Sequence, residues 1–192
     1  MLILAALLLA APAAPAPAMA AELEMLKAFK AACARTGDDI GPVKSDAARS
    51  GWKAMPEDGD PRIARLVKMG RDATEKDGTA TGATFRRRIG GRDLFLVVSR
   101  YQDQTGFWGS GCRLYDFEAA APVDGKRLEA WMGRPPTGVQ EPAPGLSKRL
   151  WEPSGWREGI TVEVSHVPQK HPLGQRFGLS GNVLTAQAIG GF

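Results

Sequence analysis

The sequence predicts an α+β domain in which N-terminal helices pack on one antiparallel β-sheet of about six or seven strands built from hairpins. Three observations lead there. Apolar residues recur every three to four positions up to about residue 73, they alternate with a period of two after Gly78, and glycine-containing turns join the alternating segments.

The first helix runs from Glu22 to Arg35, with Leu23, Leu26, Phe29 and Cys33 at helical spacing and Thr36-Gly37 as its stop. Cys33 therefore faces the core side. A second, short helix spans Pro42 to Ser50, with proline in its first turn and Gly51 beyond its end. Asp60-Pro61 reads as an N-cap followed by an N1 proline, opening a third helix to about Ala73 whose stripe is Ile63, Leu66, Val67 and Gly70.

Thr81 to Ile89 and Asp93 to Tyr101 read as strands joined by the Gly90-Gly91 turn. Both alternating faces of "DLFLVVSRY" are largely apolar, which predicts a central strand covered on both sides. Residues 102 to 111 read as a polar, glycine-broken loop, and Cys112 to Glu118 as the next strand. A short helix follows from about Asp124 to Met132. The stretch "GRPPTGVQEPAPG" is predicted to be a surface loop. Leu146 to Trp151 and Gly159 to Val167 make a second hairpin, and Arg176 to Leu179 with Val183 to Ile189 a third. The helices are expected to cover one face of this sheet.

The chain opens "MLILAALLLAAPAAPAPAMA", an apolar run closing on Ala18-Met19-Ala20, the small-x-small pattern of a signal-peptidase site. Residues 1–20 are read as a cleaved leader and residues 21–192 as one domain, which places the protein in the periplasm or outside the cell. The leader departs from the usual pattern in having no Lys or Arg before its apolar run. The run from Leu2 to Ala11 is too short to span a bilayer, so no transmembrane segment is expected after leader removal.

Two cysteines, Cys33 and Cys112, in an oxidising compartment predict a disulfide between them. The competing reading makes Cys112 the thiolate of a thiol or acid/base hydrolase acting on an envelope substrate, with His166 as its base. That reading lacks an orienting third group. His166 and His171 are the only histidines, and "HVPQKH" matches no familiar ligand spacing, so no metal or other cofactor is predicted. His166 shares its strand face with Ile160, Val162 and Val164, which suggests a hydrogen-bonded core ring.

The net charge of +4 and pI near 9.3 fit a neutral or acidic envelope protein or an anionic polymer as partner. The predicted compartment disfavours nucleic acid. Arg86 and Arg88 project from one strand face, where Arg113 or Arg100 alongside them would form a cationic patch. Trp108 and Trp156 fall in predicted loops, where a tryptophan can fill a partner's pocket. Arg86, Arg88, Arg113, Trp108 and Trp156 are accordingly the candidate binding residues of a non-enzymatic binding or accessory protein. The dinucleotide fingerprint, P-loop, nucleophile elbow and His-Glu-x-x-His are all absent from the sequence.

Overall fold

A computed structural model describes residues 16–192. It holds α1 (Ala16–Cys33), α2 (Gly41–Arg49), β1 (Lys53–Met55), α3 (Pro61–Thr74), β2 (Gly78–Ile89), β3 (Arg92–Asp103), β4 (Trp108–Asp116), α4 (Gly125–Met132), β5 (Gly138–Ala143), β6 (Leu146–Trp151), β7 (Thr161–Val167), α5 (Pro172–Phe177) and β8 (Gly181–Gly190). Residues 1–15, most of the segment read as a leader, lie outside the described residues. Residues 18–20 are exposed and burial begins at Ala21, which packs so closely on Gly90 that a Cβ there would lie 2.3 Å from its own.

Eight strands form one antiparallel sheet in the order β1-β2-β3-β4-β8-β7-β6-β5, rather than the six or seven expected. The two additions are the edge strands. β1 is only three residues long, and β5 lies in the stretch read as a loop, where Pro142 is tolerated because an edge strand leaves one side of its backbone unpaired. The expected strand Arg176 to Leu179 is instead the end of α5 and the residues after it, since His171-Pro172 starts a helical turn that the left-handed Gly178 ends. The expected loop 102–111 shrinks to the turn between β3 and β4.

One sheet face carries the main core. Leu94, Leu96 and Val98 of β3, Cys112 and Leu114 of β4, Leu184 and Ala186 of β8, and Val162 and Val164 of β7 meet Met25, Leu26, Phe29 and Ala32 of α1, Val43 of α2, and Leu128 of α4. Leu23 is 38% exposed and stands off this stripe. Cys33, the last residue of α1, is bonded to Cys112 across 79 residues of chain with Cα atoms 5.6 Å apart, and both are fully buried. Closing a loop of that length removes roughly 4 to 5 kcal/mol of unfolded-state entropy at most.

The helices do not all lie on that face. α3 packs on the opposite one, where its Ile63, Leu66 and Val67 meet Phe95, Val97, Tyr115, Phe117 and Val183. The two apolar faces of β3 are thus both covered, by different helices. The Asp60 carboxylate caps α3 by accepting from the Arg62 and Ile63 amides at 2.9 and 3.4 Å, and the Arg62 guanidinium lies 4.5 Å from the Phe117 ring centre. Among the described residues no helix is long and apolar enough to cross a membrane.

Candidate functional site

The apolar packing of α3 on the sheet runs from Ile63 to Val67. One turn further on, the helix carries Gly70 and then Thr74, while the strands beneath it carry Ala80 and Gly82 in β2, Ser99 in β3, and Gly109 and Gly111 in β4. Strand residues two apart share a face, so these small residues line one side of the sheet together. Nothing bulky fills the wedge between helix and strands. The result is a groove of about 330 Å³, bounded beyond β4 by Gln187 and Ile189 of β8. Gly70 borders open space, with no heavy atom within 4 Å of where a Cβ would stand.

Arg113 lies on the floor of this groove. Its side chain folds back along β4 over Gly111, where a Cβ would sit 2.4 Å from Nη1, so the glycine is what lets the guanidinium lie flat. Arg113 is half-buried, donates to Ser99 Oγ at 3.2 Å, and has no carboxylate partner among the described residues. Of the other charged residues along the groove, Arg71 at the rim is paired with Glu57, and Arg100 turns its side chain to the opposite sheet face. Lys148 and Glu163, farther out on the same face, pair with each other at 2.6 Å. Partial desolvation, with Asp103 and Asp77 adding to it, pushes the Tyr101 phenol above its usual range.

The other candidate residues fall elsewhere. Arg86 and Arg88 share the sheet face of Arg113, but Phe95, Val97 and Tyr115 stand between them. Arg86 is held by Asp93 in two bonds of 3.1 and 2.6 Å, and Arg88 donates to the Gly91 carbonyl at 3.1 Å. Arg100 lies on the opposite face, donating to the Asp38 carbonyl and to Gln102. No continuous cationic patch results. Trp108 is half-buried across from Gly190, where a Cβ would lie 2.6 Å from its ring. Trp156 closes the rim of the core, 5.8 Å from Phe29 and 5.2 Å from Trp131 between ring centres, with the Lys30 ammonium 5.3 Å from its own.

The residues of the hydrolase reading are kept apart. Cys112 is bonded to Cys33 and has no thiol to ionise. The register pairs it with Ala186 and that residue with Val162, so His166 stands four residues further along β7, roughly 13 Å away along the strand. The His166 ring is 2% exposed and its Nδ1 lies 2.5 Å from the Gly145 carbonyl oxygen. It belongs to a sealed polar row running from Asp116 through Asn182 to Ser147 across four strands. Burial raises the Asp116 carboxyl, and the Arg92 guanidinium 2.7 Å from it opposes that shift. His171 accepts from the Leu173 amide at 3.2 Å, and the described residues contain no cluster of three potential metal ligands.

The residues that build the groove, Gly70, Gly82, Ser99, Gly109 and Gly111, do not stand out as a site in the sequence. The available signal is the pairing of small residues two apart in neighbouring strands, facing a helix whose stripe ends in glycine. The fold and the groove together define a class: an α+β domain with the centre of one sheet face covered by three helices and the other face covered in part by one. Comparison with protein families, with characterised proteins and with solved structures finds no match for this chain.

Proposed function

We propose that this chain is an exported, non-enzymatic binding protein of the cell envelope that recognises its partner with the half-covered sheet face around Arg113. The observation that carries the reading is an arginine, partly desolvated on a floor cleared of side chains, whose charge no carboxylate neutralises among the described residues. Such a cation attracts an anionic group more strongly than a fully solvated one, because less water screens it. The signal-peptidase pattern at Ala18-Met19-Ala20 and the buried disulfide suit an oxidising compartment. Arg86 and Arg88 lie exposed on the same face and give a neutral or acidic envelope protein or an anionic polymer a second contact, weakened because Asp93 already shares the Arg86 charge.

Amide hydrogen exchange of the oxidised protein, with and without an envelope extract, tests this. Protection is expected at residues 80–84, 97–101 and 109–113. Protection confined to other segments, or none at all, contradicts the reading.

A further inference from the structure

We propose that the groove beside α3 holds a single-chain aliphatic monocarboxylate, with its carboxylate on Arg113 and Ser99 and its hydrocarbon chain along the groove. The inference rests on the binding reading above and assigns the ligand class to its site. Three features select that chemistry.

The first is charge. Arg113 is the uncompensated positive charge on the groove floor, since Arg71 and Glu57 pair at the rim and the Arg100 side chain lies on the opposite face. A guanidinium with one contact to Ser99 keeps most of its donor fork for the two oxygens of a carboxylate. A dianionic phosphate would leave a negative charge unmatched in a partly desolvated place. The second is size. About 330 Å³ lies at the lower end of small-molecule sites and suits one short chain rather than a two-chain lipid or a folded segment of another protein.

The third is the character of the walls. Val67 of α3, Val97 of β3 and Ala80 of β2 line the groove, and Ile189 of β8 is left 60% exposed at its side. An aliphatic chain laid on the small-residue floor would cover these groups and remove their apolar surface from water. Gly82, Gly109 and Gly111 clear the strip on which the chain would lie. Gly70 leaves room above it, and the empty space at its missing Cβ is where a larger residue would enter.

The test is calorimetric titration of the oxidised full domain with hexanoate, octanoate, decanoate, decanol and decyltrimethylammonium, each below its micellisation concentration, with amide chemical-shift mapping. Affinity for the carboxylates should rise about fourfold per methylene until the groove is full. Decanol and the cationic amphiphile should bind at least tenfold more weakly than decanoate. Arg113→Gln should reduce decanoate to the level of decanol. Gly70→Leu should abolish binding of every chain while the protein melts no lower than the wild type, which separates a blocked groove from a damaged fold.

Equal affinity for decanoate and decanol, an unaffected Arg113→Gln, or shifts lying outside residues 80–84, 97–101 and 109–113 would overturn the proposal. If no amphiphile binds while envelope extract still protects the groove from exchange, the ligand class is wrong and the binding reading survives. If neither occurs, both fall.

Discussion

Asp60 sets the start of α3 and so the shape of the groove that helix walls. The Arg62 guanidinium, bonded to it at 2.8 and 3.1 Å, holds its carboxyl below the usual aspartate range, helped by the Arg62 and Ile63 amides. A folded-state value below the unfolded one stabilises the protein fully above the ordinary aspartate pKa of about 3.9, and that contribution is lost as pH falls through the lower folded value. Asp60→Asn keeps a capping oxygen and removes the charge. It should lower stability by up to about 1 kcal/mol at neutral pH, since Arg62 is partly solvated. The gap from wild type should close in strong acid, and urea unfolding at both pH values measures it. At this scale the disulfide was legible in the sequence from cysteine parity and compartment. Arg113 was legible as a residue type but not as a half-buried groove cation without a carboxylate. That depends on the neighbours a fold supplies, as Asp93 two residues after the Gly90-Gly91 turn shows by neutralising Arg86.

Elements with strong periodicity and strong caps appear where the sequence puts them, to within a few residues. α2, α3 and α4 each have a proline in the first turn or an aspartate cap, and β3 is apolar on both faces. Two of the elements that escaped notice, β1 and β5, lack such signals, whereas the six-residue α5 has them but is too short to show periodicity. β1 is too short to show alternation, and β5 contains Pro142 and a register shift between Gln140 and Ala143, so only its place at the sheet edge permits it. α3 departs from a well-filled helix at one position, Gly70, where nothing touches the missing Cβ. Gly70→Ala should therefore raise stability by about 1 kcal/mol through helix propensity alone. A rise in the urea midpoint is the expected result. A fall would mean that the helix sits closer to the sheet than the groove requires.

The whole molecule is asymmetric about its sheet. α1, α2 and α4 cover the central strands on one face, with the disulfide fixing the end of α1 to β4. α3 covers the other face beside β3 and β4, and beyond it Gln140, Lys148, Thr161 and Glu163 present a polar surface. The sequence shows that β3 must be covered on both sides, but it does not say which helix goes where. That choice depends on the aromatic patch of Phe95, Tyr115 and Phe117, which assembles only when β3 and β4 pair and which then receives Ile63, Leu66 and Val67. Since this apolar packing stops at Val67, the groove follows from the fold's asymmetry, and the proposed function rests on its binding role. The most direct test is a crystal structure of the oxidised protein grown with decanoate. The predicted result is a carboxylate within hydrogen-bond distance of Arg113 and Ser99, with the chain between α3 and the glycines of β4. A groove left open, or filled with the carboxylate turned away from Arg113, would contradict it.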